Sequence, residues 1–174
     1  SSGIKALVFI EDQGNQIVIG ALATHQDLEQ SPLLHSQNPA LAQAAHSIGC
    51  IQTRSRGTLG GNLANASPAG DTIPPLLIYD ASLLLQNQEG ERLISLERFI
   101  TGPGKTALQK GEYIHSVSFA PFSGRWGSSF LKLGKRSGMA VSVVNAAAVV
   151  VLDRSGLILT ARVALGAVAP VVVR

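Results

Sequence analysis

The sequence has few charged residues and only one cysteine. Of its 174 residues, 14% are charged, against about 25% in an average globular protein. Hydrophobic residues make up 45%, which excludes a disordered chain and predicts a well-buried core. The one cysteine, Cys50, excludes an internal disulfide and a clustered cysteine metal site. Packing alone must therefore hold this fold together.

Long apolar runs and a strong net charge are also absent. No apolar run approaches the roughly 20 residues of a membrane-spanning helix, and no basic region precedes the first strand-like run. We therefore expect neither a transmembrane segment nor a secretory signal peptide. A net charge of +3 is too small to indicate a nucleic-acid partner.

Two common nucleotide-binding motifs are missing. A P-loop would need a glycine five residues before Gly104-Lys105-Thr106, and Phe99 stands there. The spacing of Gly57, Gly60 and Gly61 does not match the Gly-x-Gly-x-x-Gly fingerprint of dinucleotide-binding folds. Any nucleotide site in this chain must therefore use a different motif.

The pattern of apolar runs predicts an α+β fold. Three pairs of runs flank polar turns that contain glycine, which predicts three β-hairpins: 6–10 with 16–21, 82–85 with 92–94, and 146–152 with 157–165. The run 146–152 is nearly all apolar, which predicts a strand that is buried on both faces. Helix-start residues lie between the hairpins. The predicted helices are 24–28 with Thr24 as its cap, 40–48 after Asn38-Pro39, 74–81 after Asp71, and 95–100. Hairpins separated by helices, without regular alternation, indicate α+β architecture.

A stretch without acidic residues surrounds the most informative motif. No acid occurs between Glu29 and Asp71, while Arg54 and Arg56 lie within this stretch. Either an alanine-rich helix and a glycine loop happen to lack acids, or this surface meets an anion. In Thr58-Leu59-Gly60-Gly61-Asn62 the consecutive glycines predict backbone amides that point into one concavity and bind a diphosphate. Asp71 either caps the helix that follows it or accepts hydrogen bonds from ligand hydroxyls.

The segment 52–71 contains a longer pattern, Gln52-x-Arg54-x-x-Gly57-Thr58-x-Gly60-Gly61-Asn62, followed by Ala66-Ser67-Pro68 and Asp71. This pattern closely resembles the FAD-binding medium subunit of molybdenum hydroxylases, the group of xanthine dehydrogenase and aerobic carbon monoxide dehydrogenase. Weaker blocks in the family's order include Ile19-Gly20-Ala21, Pro39-Ala40-Leu41, Glu112-Tyr113-Ile114, Phe130-x-Lys132-Leu133 and Ala164-Leu165-Gly166-Ala167.

The resemblance implies two domains. Residues 1–122 would be the second subdomain of a PCMH-type FAD-binding domain, an antiparallel or mixed sheet with helices. Residues 126–174 would begin a small α+β C-terminal domain like that of the carbon monoxide dehydrogenase flavoprotein. The family's other glycine loop, typically Ala-Gly-Gly-Thr, has no counterpart before Gly3, and the family continues beyond Arg174. We therefore expect a chain truncated at both ends. Alone it should bind FAD weakly or not at all, because binding by one of the two glycine loops still incurs the full entropy cost of ordering the ligand.

The resemblance also implies a FAD site without a catalytic residue or a metal ligand of its own. The residues at its FAD-contacting positions are Ile48, Thr58, Leu59, Gly60, Gly61, Asn62, Asp71, Ile114 and Lys132. Thr58–Asn62 would hold the diphosphate, and Ile114 and Lys132 would lie near the flavin ring. Taken alone, Lys132 and Arg136 have the i, i+4 spacing of a solvated helix face.

The implied partners are an iron–sulfur small subunit and a large subunit with molybdopterin, in a cytoplasmic heterotrimeric complex able to dimerise. Electrons from the iron–sulfur clusters would pass through FAD to NAD+ or another acceptor. The alternative from a different class is a non-redox module that binds a nucleotide or phosphate for regulation or assembly. A remnant with a structural role only is the third hypothesis.

Overall fold

The structure is a computed structural model and describes residues 6–136 and 138–174. Within these ranges the chain forms ten strands and seven helices. The strands are β1 Ile10–Asp12, β2 Ile17–Gly20, β3 Ser82–Gln86, β4 Glu91–Ser95, β5 Ile100–Gly102, β6 Lys105–Thr106, β7 Tyr113–Phe119, β8 Arg125–Gly134, β9 Ser142–Leu152 and β10 Ile158–Gly166. The helices are α1 His25–Gln30, α2 Pro32–Gln37, α3 Pro39–Ser47, α4 Ile51–Arg54, α5 Leu59–Asn65, α6 Ile73–Leu77 and α7 Leu96–Phe99.

The strands assemble into antiparallel sheets and confirm the predicted α+β class. A five-stranded sheet has the order β1-β2-β7-β3-β4, a three-stranded sheet has the order β10-β9-β8, and β5 pairs with β6. All three predicted hairpins are present, with β1 on β2, β3 on β4, and β9 on β10. The central strand β7 comes from far along the chain and separates the first two hairpins.

Local capping explains where the first helices begin and end. The Thr24 hydroxyl accepts a hydrogen bond from the Asp27 amide at 3.1 Å, and the Asp27 carboxylate accepts one from the Thr24 amide at 2.8 Å, which forms a capping box at the start of α1. Asn38 caps α3 through the Leu41 amide. Gly49, with φ +51°, follows its end. The predicted helices 24–28 and 40–48 are therefore confirmed.

Two predictions about local structure are wrong. In β9, buried residues alternate with half-buried ones, because α3 and α6 cover only one face of the three-stranded sheet. Leu131 and Val163 on the other face are exposed. Asp71 does not cap α6, which is preceded by Thr72 without any side-chain cap and ends at Leu77 rather than at 81. The Asp71 carboxylate instead accepts hydrogen bonds from other elements.

One continuous core joins the five-stranded sheet, the helices and the inner face of the three-stranded sheet. An aromatic cluster lies where the two sheets meet: the rings of Tyr79 and Phe122 are 4.9 Å apart, and Trp126 is 6.2 Å from Tyr79. The Tyr79 hydroxyl lies 3.1 Å from the Ser128 hydroxyl on β8. These contacts hold the two sheets together. No helix in the described residues is long and apolar enough to cross a membrane.

Candidate functional site

A basic cleft lies between the C-terminal end of α3 and the loop that joins β8 to β9. Its volume is about 720 Å³, within the range of roughly 300–1,000 Å³ that is common for ligand sites. Arg54, Lys132, Lys135 and Arg136 line it together with His46, and no acidic residue is among the described residues of its wall. This set of donors suits an anionic ligand.

One of the lining residues, Lys132, belongs to a buried ion pair behind the cleft wall. The Lys132 ammonium lies 2.6 Å from Asp71 Oδ2 and donates to the Ser47 carbonyl at 3.3 Å. The other carboxylate oxygen, Oδ1, accepts hydrogen bonds from Ser142 Oγ at 2.6 Å and Asn145 Nδ2 at 2.7 Å. Asp71 is therefore held by three donors, and all three come from β8 and β9.

Strand geometry explains how Lys132 reaches this position. Lys132 lies in β8, two residues after the buried Phe130, so both side chains point to the inner face of the sheet. Asn145 is its direct cross-strand partner on β9. The helical interpretation of Lys132 and Arg136 is wrong, because β8 ends at Gly134 and Arg136 lies in the loop, where it donates to the Met139 carbonyl at 2.9 Å.

The expected backbone cradle at Thr58–Asn62 is also wrong in its geometry. The amides of Leu59 and Gly60 donate to the carbonyls of Ala23 and Ala21 at 2.9 and 2.8 Å. The Gly61 amide donates to the Thr58 hydroxyl at 3.1 Å, and the Asn62 amide donates to the Thr58 carbonyl. These four amides are used to start α5 and dock it on the chain after β2, so any ligand contact here must come from other atoms of this segment.

Close packing requires a glycine at position 60 and restricts position 61 less. A Cβ on Gly60 would lie 2.8 Å from both the Cβ and the carbonyl oxygen of Ala21, and a Cβ on Gly61 would lie 2.9 Å from Thr58 Oγ1. Asn62 connects this segment to the ion pair, because Thr72, next to Asp71, donates its hydroxyl to Asn62 Oδ1 at 2.7 Å.

The structure brings some of the predicted site residues together. Ile48, at the end of α3, directly follows Ser47 of the cleft wall, and its carbonyl accepts a hydrogen bond from Arg54 at 3.2 Å. Lys132 and its partner Asp71 complete this group. Ile114 lies instead in β7, opposite Leu85 and buried in the core, so its contact with a flavin stays a prediction.

Arg54 lies in the acid-free stretch, for which an anion-binding surface was one of two explanations, and its side chain is largely satisfied within the protein. Its Nε lies 2.6 Å from the Glu29 carboxylate, which also contacts His46 at 2.7 Å. Glu29 is the residue that begins the acid-free stretch, so the charge of Arg54 is balanced in space although not along the sequence. The cleft's positive character therefore depends more on Lys135 and Arg136 than on Arg54 or on Lys132, which is itself paired with Asp71.

Sequence reasoning missed three buried polar residues near the site. Ser142 and Asn145 hold Asp71, and the only indication in the sequence is that they interrupt an apolar run. His25 is buried with no partner for its Nδ1, and a Cβ on Gly57 would lie 2.9 Å from its ring. Burial lowers the pKa of His25, and the nearby charge of Asp71 opposes this effect.

Comparison with known proteins identifies the family. Residues 1–121 match the model of the FAD binding domain in molybdopterin dehydrogenase, and residues 129–174 match the CO dehydrogenase flavoprotein C-terminal domain. The chain is 35% identical to the nicotinate dehydrogenase FAD-subunit of Eubacterium barkeri over 88% of its length, and 33% identical to the xanthine dehydrogenase FAD-binding subunit of Escherichia coli O157:H7 over 98%.

A solved structure supports the same assignment. The carbon monoxide dehydrogenase of Hydrogenophaga pseudoflava superposes with a TM-score of 0.91 at 30% identity over 98% of this chain. The chain spans 53% and 58% of the lengths of the two curated relatives and 58% of the solved chain. The family matched over residues 1–121 covers more than half of the 174 residues. The chain therefore belongs to the family of FAD-binding domains found in molybdopterin dehydrogenases.

Proposed function

We propose that this chain is part of the flavoprotein subunit of a molybdenum hydroxylase, and that its basic cleft holds FAD. The observation that carries the proposal is the convergence of Ile48, Asp71 and Lys132. These three positions were expected to contact FAD from resemblance alone, and they are up to 84 residues apart. Lys132 lines a cleft of suitable size and charge, Asp71 is its buried ion-pair partner, and Ile48 stands between Ser47 and Gly49 of the cleft wall.

The residues present fit an anionic cofactor. The ammonium of Lys132 has three N–H donors, of which one goes to Asp71 and one to the Ser47 carbonyl. The third remains to meet the ligand. Lys135 and Arg136 add positive charge at the same cleft, which favours a nucleotide's phosphates or an electron-rich flavin ring. In the glycine segment, Thr58 Oγ1 already accepts a hydrogen bond from the Gly61 amide and Asn62 Oδ1 accepts one from Thr72. The Thr58 hydroxyl proton and the Asn62 amide nitrogen are the side-chain donors that would contact the cofactor there, although none of these residues is in the described wall of the cleft.

The protein supplies position and electrostatics, and the cofactor supplies the redox chemistry. FAD, when bound, accepts electrons and passes them on. In the proposed complex, an iron–sulfur small subunit and a molybdopterin-containing large subunit would supply these electrons, and NAD+ or another acceptor would receive them. Lys132 would favour the electron-rich, reduced cofactor by its charge.

Cofactor analysis of the full-length protein, purified with its partners, tests the proposal. We expect a yellow-brown complex that releases FAD on denaturation. Lys132→Met should retain less FAD, because it removes a charge at the cleft and leaves Asp71 unpaired. Lys105→Met is the matched control, since Lys105 is exposed on β6, and it should retain FAD fully. A colourless complex that binds nucleotides without flavin would favour the regulatory or assembly module instead.

A further inference from the structure

Two polar residues are buried at one end of an otherwise apolar strand. In β9, Ser142 and Asn145 precede a run of alanine, valine and leucine. Both side chains are buried. Buried polar groups are destabilising unless they form hydrogen bonds, and both of these residues donate to the same atom, Asp71 Oδ1. Both residues therefore act on the Asp71 carboxylate.

The hydrogen bond to Asp71 fixes the orientation of the Asn145 amide. Its Nδ2 donates to Asp71, while its Oδ1 is buried without a partner. Exchanging the two atoms would place an amide oxygen against a carboxylate, which is repulsive. A Cβ on Gly166 of β10 would lie 2.1 Å from Asn145 Oδ1, so a glycine is needed for the amide to fit. Asn145 Oδ1 therefore stays without a hydrogen-bond partner, while Asn145 Nδ2 donates to Asp71.

The same carboxylate controls the lysine at the cleft. With Oδ1 held by two neutral donors, Oδ2 faces the Lys132 ammonium at 2.6 Å. Lys132 and Asn145 are opposite each other on neighbouring strands, so the lysine, the amide and the carboxylate form one connected group. Asp71 belongs to the segment matched as the FAD-binding domain, and its three partners belong to the segment matched as the C-terminal domain.

We propose that Ser142 and Asn145 are positioning residues for the flavin: they fix and partly neutralise Asp71, and thereby set the charge that Lys132 presents to the cleft. This inference rests on the proposed function. Hydrogen bonds from neutral donors stabilise a carboxylate's charge without adding a charge of their own. If one donor is lost, Asp71 projects more negative potential and draws the ammonium more strongly. The cleft becomes less positive, and the reduced flavin becomes less stable.

The test compares flavin midpoint potentials, measured by spectroelectrochemistry on the full-length protein in its complex. Ser142→Ala should lower the midpoint potential, in the same direction as Lys132→Met and by a smaller amount. Ser142→Thr, which keeps the hydroxyl, should restore it. Ser116→Ala is the matched control, because Ser116 is also a buried serine in a strand, and it should leave the potential unchanged.

Measuring Ser142→Ala in the Asp71→Asn variant separates positioning of the carboxylate from simple stabilisation of the fold. When Asp71 is replaced by asparagine, no carboxylate remains to be neutralised, so Ser142→Ala should no longer shift the potential. Asn145→Ala provides an independent variant with the same expected direction if Ser142→Ala does not assemble. A lower melting temperature with an unchanged potential, or a shift that persists in Asp71→Asn, would overturn the inference alone. A wild-type complex without FAD would overturn both the proposed function and this inference.

Discussion

Replacing Gly60 with alanine tests whether the glycine pair at the start of α5 serves packing. The Gly60 amide donates to the Ala21 carbonyl at 2.8 Å, and a Cβ would lie 2.8 Å from that same oxygen and from Ala21 Cβ. The chain at Ala21 cannot retreat easily, because its own amide donates to the His115 carbonyl in β7 at 2.9 Å. The new methyl group must therefore push α5 away from the sheet.

The expected cost follows from three contributions. Overpacking by one methyl group costs about 1–3 kcal/mol, and weakening the hydrogen bond to Ala21 costs about 0.5–1.5 kcal/mol. Alanine in place of glycine within a helix returns about 1 kcal/mol. The net loss in the free energy of unfolding is about 0.5–3.5 kcal/mol, which lowers the melting temperature of a protein of this size by about 1–14 °C.

Gly61→Ala and Gly90→Ala make the comparison decisive. A Cβ on Gly61 meets only the Thr58 hydroxyl, which can rotate away. The lost cap costs about 1 kcal/mol and is offset by helix propensity. Gly90 has open space around it. In thermal unfolding followed by circular dichroism, Gly60→Ala should melt well below the other two variants. If all three melt together, the packing argument for this glycine is refuted.

Three further predictions concern stability. Thr24→Ala should lower the free energy of unfolding by about 1 kcal/mol in urea titrations, because it removes the capping box of α1. Burial lowers the pKa of His25 below its ordinary 6.5, so the unfolded chain binds more protons and stability should decrease as the pH falls below about 6.5; His25→Gln should flatten this dependence. The Arg92 guanidinium lowers the pKa of Glu112 from 4.5 to about 2, so its stabilisation should be complete above pH 4.5 and lost as the pH falls through about 2, and Glu112→Gln should abolish that loss.

Structure that depends on neighbouring residues was predictable from the sequence. Thr24 and Asn38 each form their capping hydrogen bonds with residues three positions away. A short sequence window therefore contains both the cap and its partner. The hairpins behave in the same way, since each turn fixes the register of the strands on either side. These elements required no knowledge of the tertiary structure.

The polar cluster could not be predicted by the same rules. Asp71 stands before a helix, which is the usual position of a cap, yet its partners lie 61 to 74 residues away in β8 and β9. The glycines after Thr58 are equally compatible with a phosphate cradle and with close packing. Only the position of Ala21, which the sheet determines, decides between them.

Charge in this protein is balanced in space rather than along the chain. An anion-binding surface was one of two explanations of the acid-free stretch, but Glu29 neutralises Arg54 from α1. The positive charge at the cleft comes from Lys135 and Arg136, and from Lys132, whose charge Asp71 partly compensates. All three basic residues belong to the segment matched as the C-terminal domain. The electrostatics of the proposed flavin site are therefore supplied largely from outside the segment matched as the FAD-binding domain, and the two segments must stay docked for the site to exist.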